Sequence, residues 1–253
     1  MAKKYLQPFL RFVISLVVIL VVWQIVAMAL NKELIVAFPL TVLARLGELI
    51  VLFDFWLSVG ATLGRVVLGF MLGVIFGVLA AFAMYTSKIA YYLLSPFMKV
   101  LKTTPIVSFI LILLLWFDSN YLPTIISAMM VTPLIWANVI TGLRDINKQY
   151  LELASVYHLS LFKQLQKIYF PALRYPLLSS IFAGVGLAWK SGVTAELLSL
   201  PKIAIGHELY NAKIYLESPD IFAWTIVIIL LSMLFESIVI FFGRKFFKGQ
   251  LND

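Results

Sequence analysis

Residues 57–84 read LSVGATLGRVVLGFMLGVIFGVLAAFAM, a run in which Arg65 is the only charged side chain. A helix needs about 20 consecutive, mostly apolar residues to cross the hydrocarbon core of a bilayer. The run therefore predicts a transmembrane helix, and this helix decides the class of fold.

Five further apolar segments flank this run on both sides. They are residues 9–30, 103–117, 121–142, 176–198 and 219–244. The whole chain is 62% hydrophobic and only 13% charged, whereas soluble domains carry about a quarter charged residues. We predict an all-α polytopic membrane protein of about six transmembrane helices in a single domain, residues 1–253. The third segment is short, and we expect Pro96 and Pro105 to interrupt the helix around it.

Basic residues are distributed unequally between the two sides of this predicted topology. With the N-terminus inside, fourteen lie on the cytoplasmic side: Lys3, Lys4, Arg11, Lys88, Lys99, Lys102, Arg144, Lys148, Lys163, Lys167, Arg174, Arg244, Lys245 and Lys248. Only Lys32, Arg45, Lys202 and Lys213 lie on the other side. Such a positive-inside bias predicts that both termini are cytoplasmic. The first span lacks a small-residue cleavage site after it, so we expect it to remain as an anchor.

Several other functions are made improbable by what the sequence contains. It has no cysteine, which excludes disulfides and thiolate chemistry, and its histidines, His158 and His207, lack the spacing of a zinc site. The net charge of +8 is spread between apolar runs and does not form a nucleic-acid-binding domain. We expect no catalytic residues, no metal and no cofactor bound by this chain.

Two local patterns predict packing features. Residues 39–53 carry Leu43, Leu46 and Leu49 at helical spacing, which is typical of an amphipathic helix on the outer membrane surface. In the second span, Gly60 and Gly64, followed by Gly69, Gly73 and Gly77, are spaced by four residues, so each set lies on one helical face. Such a face allows another helix to approach closely. We favour packing within one subunit over a subunit interface.

The longest polar stretch between spans, residues 143–175, predicts a helix, a tight turn and a second helix. Leu153, Val156 and Tyr157 form one apolar face, and Phe162, Leu165 and Ile168 form another. Ser160 is available to cap the second helix, and His158 occupies the turn, where positive φ is expected. The apolar faces of this pair either lie on the membrane surface or dock into the groove of a partner.

This loop resembles that of permease subunits of binding-protein-dependent ABC importers. The family pattern is Glu-Ala-Ala, three residues, Gly, nine residues, then Ile-x-Leu-Pro. Glu152, Ala154, Ile168 and Pro171 match it in register, whereas Leu153, His158 and Phe170 depart from it. Residues 62–70 (TLGRVVLGF), 115–117 (LWF), and Trp189 followed by Ala195 and Glu196 are similar to the nitrate, sulfonate and taurine branch.

The resemblance implies the type I importer permease fold and a function for the loop. In that family the loop is a coupling helix in a cleft of a cytoplasmic ATPase. It implies Glu152, Ala154, His158, Ser160, Ile168 and Pro171 as coupling residues. The sequence has no Gly-x-x-x-x-Gly-Lys-Ser/Thr phosphate loop, so ATP is expected to bind a partner subunit. The implied assembly is a homodimeric permease in a bacterial or archaeal cell membrane, with an ATPase dimer and an extracytoplasmic binding protein.

Four ionisable residues lie within predicted spans, where each costs at least about 2.5–3.5 kcal/mol and is a functional candidate. Arg65 and Lys190 are predicted at similar depth and could attract an anion along a central path. The alternative is that each bonds nearby carbonyls or carboxylates, which we favour for Arg65 and leave open for Lys190. Glu196 could contact an outer gate or the binding protein, or it could snorkel to the interface. Glu236 is interpreted as a hydrogen-bonding residue within the bundle.

The function predicted from these observations is the translocation pathway of an ATP-driven importer. The substrate implied by the resemblance is a small anion such as a sulfonate, taurine or nitrate, or a heterocyclic vitamin precursor. Acidic residues of the outer loops, including Asp54, Glu208, Glu217 and Asp220, indicate a solvated face or a docking surface. A gradient-driven transporter would show internal repeats, and a membrane enzyme would show a catalytic cluster. We find neither pattern in the sequence.

Overall fold

The computed structural model describes residues 2–30 and 32–248, which form eleven α-helices and no strands. The helices are α1 (Ala2–Leu30), α2 (Pro39–Val51), α3 (Phe53–Thr86), α4 (Lys88–Thr103), α5 (Ile106–Leu113), α6 (Leu122–Arg144), α7 (Lys148–Val156), α8 (Leu161–Gln164), α9 (Phe170–Ser199), α10 (Ile205–Ile214) and α11 (Ser218–Lys248). The predicted single domain and cytoplasmic termini include Met1, residue 31 and residues 249–253, which lie outside the described residues. We call the end of the bundle that carries α7 the inner end, and the opposite end the outer end.

Five segments within the described residues are long and apolar enough to cross a membrane. They are Val13–Leu30, Phe53–Thr86, Leu122–Arg144, Leu161–Ser199 and Ser218–Gly243. They correspond to the predicted spans 9–30, 57–84, 121–142, 176–198 and 219–244. The prediction of an all-α polytopic membrane protein is confirmed.

The predicted third span, residues 103–117, is not one straight helix. α4 and α5 meet at a bend of 107°, and the eight residues of α5 extend only about 12 Å. The break lies at Thr104, whose ψ of 135° is extended because Pro105 follows it. The expected interruption at Pro96 is wrong, since this proline lies inside α4. The bent pair of α4 and α5 can supply the sixth crossing only as a broken span.

α3 and α6 pack closely along one of the two glycine sets. A Cβ added to Gly69, Gly73 or Gly77 would lie 2.6 Å from the Cβ of Ser127, Val131 or Ile135 respectively. Packing within one subunit is therefore confirmed for these three glycines. Gly60 and Gly64 have nothing within 4 Å of such an added Cβ. The five-residue step from Gly64 to Gly69 turns the helix by about 140°, which places the two sets on different faces.

Replacing Gly73 with alanine should destabilise the protein by about 1–3 kcal/mol, because the new methyl group overlaps the side chain of Val131. Gly64→Ala is the matched control on the same helix. It adds the same methyl group in open space and should leave stability unchanged or slightly raised. Thermal unfolding of the detergent-purified variants measures both effects. Equal melting temperatures for the two variants would contradict the assigned α3–α6 contact.

α9 completes the centre of the bundle by packing against both α3 and α6. A Cβ on Gly192 would meet Val66 and Ser127, and a Cβ on Gly184 would meet Phe70. Ser127 also donates a hydrogen bond of 3.0 Å to the carbonyl of Ala188. Gly184, Ala188 and Gly192 therefore mark the face of α9 that points into the core. The opposite face of α9 is left open.

Candidate functional site

The inner loop forms the predicted helix, tight turn and helix. Asn147 caps α7 by accepting a hydrogen bond of 3.0 Å from the backbone N–H of Gln149. The helix ends at His158, whose φ is 48°. The N–H groups of His158 and Leu159 then donate to the carbonyls of Ser155 and Ala154 at 3.1 and 2.9 Å. This pair of bonds is a Schellman motif, so His158 occupies the left-handed position that favours glycine.

The start of the second loop helix differs from the prediction at Ser160. This residue takes the N-cap position, but its hydroxyl makes no capping hydrogen bond. The first turn is tied instead by Gln164, whose side-chain amide donates to the carbonyl of Leu159 at 2.8 Å. The predicted capping bond from the Ser160 side chain is therefore wrong.

The predicted boundary between the loop and the fifth span is not a helix end. The chain continues as one helical segment from Leu161 to Ser199, with a π-helical turn at Leu165–Tyr169. Pro171 has no N–H, and its ring would clash with the carbonyl four residues earlier in a regular helix. A widened turn just before Pro171 relieves that clash. The second loop helix and the fifth span therefore form one helical segment.

The second half of the motif lies beside the start of α7. Ala154 is buried, whereas Glu152 is exposed. Ile168 and Pro171 line a cleft of about 490 Å³ together with Tyr150 of α7 and Asp145. Ile168 also packs against the main hydrophobic core. The motif therefore anchors the base of the loop to the bundle.

Several large apolar side chains project from the same loop. Leu153, Val156, Tyr157, Leu161 and Phe162 are between 51% and 78% exposed, and we call these five residues the coupling patch. The patch lies on α7 and at the start of the segment Leu161–Ser199. Contiguous exposed apolar surface of this kind marks a site of interaction with protein or membrane.

A buried network ties α3, α9 and the start of α10 together at the outer end. Glu196 is 0% exposed, and its carboxylate lies 3.0 Å from Nη1 of Arg65. The other carboxylate oxygen accepts from the hydroxyl of Thr62 at 2.8 Å and from the N–H of Gly206 at 3.3 Å. We call this group, Thr62, Arg65, Glu196 and the backbone of Ile205 and Gly206, the outer network.

Arg65 extends the outer network to two connecting segments. Its guanidinium donates to the carbonyls of Asn120 and Ile203 at 3.0 and 2.9 Å. These contacts agree with the favoured interpretation of Arg65 as a packing residue. The alternative that Glu196 snorkels to the interface is wrong, because its side chain is fully buried. A gating role for either residue remains a prediction.

Lys190 lies on the open face of α9 and is exposed. Tyr175, Ser179, Ala183 and Gly186 precede it at intervals of three or four residues, and we call these five residues the α9 polar face. No ion pair to Lys190 is found within the described residues. Arg65 instead bonds Glu196, so the structure does not bring the two cations together.

The interpretation of Glu236 as a hydrogen-bonding residue of the bundle is wrong. Its side chain is exposed, and no hydrogen bond to it occurs in the part of the chain that the structure describes. The preceding residue, Phe235, is the one buried against Phe70 and Trp189. One residue turns a helix by about 100°, which carries Glu236 away from that contact.

An acidic groove of about 430 Å³ opens between α2, α3, α10 and α11 at the outer end. Arg45 donates to both carboxylate oxygens of Asp220, from Nε at 2.6 Å and from Nη2 at 2.9 Å. Burial raises the pKa of the Glu208 carboxyl; His207 opposes this shift, and Asp54 and Asp220 add to it. The predicted helix over residues 39–53 is confirmed as α2 (Pro39–Val51), which contacts α11 through Arg45 and Asp220, and its place on the outer membrane surface stays a prediction.

Comparison with known proteins distinguishes an importer permease from a gradient-driven transporter and from a membrane enzyme. The family model of the binding-protein-dependent transport system inner membrane component matches residues 73–249, which include the whole inner loop. The chain belongs to this family. The resemblance drawn from the sequence is confirmed, and the permease is a transport component of an ABC importer.

Several relatives of this permease carry informative names. It is 25% identical over 235 residues to the putative aliphatic sulfonates transport permease protein SsuC of Bacillus subtilis, covering 92% of this chain and 85% of that protein. It is 28% identical to the nitrate import permease protein NrtB of Synechocystis, with coverages of 82% and 78%. It is 22% identical to the formylaminopyrimidine transport permease protein ThiX of Halalkalibacterium halodurans, with coverages of 90% and 90%.

Proposed function

We propose that the permease forms the membrane pathway of an ATP-driven importer for a small anion handed over by an extracytoplasmic binding protein. Two copies would form the pathway, and a cytoplasmic ATPase dimer that binds the ATP would drive it. The termini and the inner loop would face the cytoplasm, as the positive-inside bias predicts. The observation that carries the proposal is the coupling patch on a loop whose motif matches the family.

The coupling patch supports docking of a separate motor. Its five side chains are apolar and exposed, so burying them in a protein groove is favourable by about 25 cal/mol for each Å² removed from water. The alternative, that the patch lies on the membrane surface, predicts that these side chains contact lipid and not the ATPase. The turn at His158 projects α7 and the second loop helix from a motif base packed on the core.

The continuous helix from Leu161 to Ser199 supports mechanical transmission. It carries Leu161 and Phe162 of the coupling patch at one end and Glu196 of the outer network at the other. Lys190 lies between the two ends, and the segment includes the π-helical turn at Leu165–Tyr169. A motor that moves the loop would therefore move the polar face and the outer network with it.

Substrate class is proposed from the α9 polar face and from the names of relatives. An exposed lysine inside a span is expected to face water or protein, because lipid exposure is costly. The neighbouring residues Ser179, Ala183 and Gly186 are small, unlike the exposed Ile229, Leu230 and Met233 of α11. A water-filled path beside Lys190 favours an anion, which is compatible with the sulfonate and nitrate permeases named above. The formylaminopyrimidine relative supports a heterocyclic vitamin precursor as the second candidate.

Vesicles containing the permease, its ATPase and its binding protein test the proposal. We expect ATP-dependent uptake of an anionic substrate, found by screening sulfonates, nitrate and bicarbonate against the binding protein. Lys190→Met should reduce uptake at least tenfold, and Lys190→Arg should restore most of it. Lys202→Met, which removes an exposed cation from the outer segment, is the control. Unchanged uptake by Lys190→Met would count against the pathway role, and uptake without the ATPase would overturn the function.

A further inference from the structure

Lys190 and Glu236 lie at nearly the same depth in the bundle. α9 and α11 run antiparallel, and the ring centroids of Trp189 and Phe235 are 6.5 Å apart. The same register holds nearer the inner end, where a Cβ on Gly243 would lie 2.9 Å from the ring of Phe182. Lys190 follows Trp189 and Glu236 follows Phe235, so their depths differ by about two residues, or ~3 Å.

The two charged side chains also turn towards the same side of the α9–α11 pair. Trp189 and Phe235 point towards each other, and the next residue on each helix is rotated by about 100°. α9 and α11 run in opposite directions. Viewed from one end of the bundle, the step to the next residue is therefore clockwise on one helix and anticlockwise on the other. Lys190 and Glu236 therefore lie on the same side of the plane that contains the two helix axes. The exposure of Lys190 and Glu236 agrees with that placement.

Neither charge has a counterion among the described residues, although both lie inside apolar segments. The face around Glu236 is otherwise apolar, with Ile229 and Met233 exposed on the same helix. Ionised groups within a bilayer pair with one another or face water, because isolated exposure to lipid is costly. Lys190 and Glu236 lie at nearly the same depth on the same open face, and their opposite charges can pair.

We propose that this face is where two copies of the permease meet, and that Lys190 of each copy pairs with Glu236 of the partner subunit. A twofold axis along the membrane normal preserves depth, so residues at equal depth meet across it, and each pair occurs twice. Ala183 and Gly186 beside Lys190 are small enough for a helix of the second copy to approach closely. The pairing rests on the proposed function, because it assumes that two copies of the permease form the pathway.

Cross-linking in membranes tests the pairing directly, and the absence of native cysteine removes any background. Two differently tagged copies are produced together, one carrying Lys190→Cys and the other Glu236→Cys, and are treated with a short bifunctional thiol reagent. We expect a cross-linked dimer that carries both tags. Lys190→Cys with Leu234→Cys is the matched control, since Leu234 is exposed at the same depth but turned about 200° away from Glu236. That pair should give at least fivefold less cross-linked dimer.

Charge reversal gives a second readout that is independent of transport. Lys190→Glu alone and Glu236→Lys alone should each weaken dimerisation of the purified permease at least tenfold, and the double variant should restore it to within about threefold. Absence of a cross-linked dimer that carries both tags, equal yields in the control pair, or a double variant as weak as the single ones would overturn the pairing. If the cross-link forms but vesicles show no ATP-dependent uptake, the proposed function fails and the pairing stands.

Discussion

Replacing Arg65 with methionine should destabilise the permease by about 3–5 kcal/mol, because the variant leaves Glu196 as a buried charge without its cation. Glu196 is fully buried, and Arg65 supplies the one ion pair to its carboxylate within the described residues. The carbonyls of Asn120 and Ile203 would also lose their donor. Unfolding of the purified protein in detergent, followed by heating or by titration with a denaturing detergent, measures the loss.

The double variant Arg65→Met with Glu196→Gln separates the cost of the uncompensated charge from the cost of lost packing. It should be more stable than Arg65→Met alone, because the buried carboxylate has gone and the glutamine can still accept from Thr62. Lys202→Met is the control for removing a cation from the outer end, and it should unfold like the parent protein because Lys202 is exposed. If Arg65→Met unfolds like the parent, or if the double variant is no more stable than Arg65→Met, the assigned network is wrong.

The outer network shows where prediction from the sequence ends. Arg65 and Glu196 are each conspicuous as ionisable residues within apolar runs, so both are candidates from the sequence. Their pairing is not predictable, because they are separated by 131 positions and share no periodicity. No sequence pattern marks Thr62 or the backbone groups of Asn120, Ile203 and Gly206 as hydrogen-bonding partners. They meet Arg65 and Glu196 only when the connecting segments fold over the bundle.

The spans and the loop were predictable for a simpler physical reason. A run such as 57–84 has to hydrogen-bond its own backbone in lipid, and a helix is the local solution. The turn at His158 is likewise local, because it depends on the spacing of two apolar faces. Glu236 was mispredicted because its surroundings depend on tertiary geometry. The interruption at Pro105 was predicted from the proline itself, but the size of the bend was not. The side on which Glu236 emerges is set by the contact of Phe235 with Trp189, and the 107° bend at Pro105 has no periodic signature.

Placing a charge in the coupling patch should separate the permease from its motor. Val156→Asp and Phe162→Asp each put a carboxylate into a surface that we propose is buried in a groove of the ATPase. We expect at least tenfold less ATPase to co-purify with either variant, and a similar loss of ATP-dependent uptake. Both side chains are mostly exposed in the single chain, so the melting temperature of the permease alone should change little.

Gln149→Asp is the matched control for this prediction. It adds the same charge to an exposed position of α7 outside the patch, near the helix N-terminus where a carboxylate is favourable. This variant should retain the ATPase and transport. If Val156→Asp and Phe162→Asp also retain both, the patch does not dock the motor and the membrane-surface interpretation gains support. If the ATPase stays bound while uptake is lost, the patch transmits motion without providing affinity, and the continuous helix from Leu161 to Ser199 becomes the element to test next.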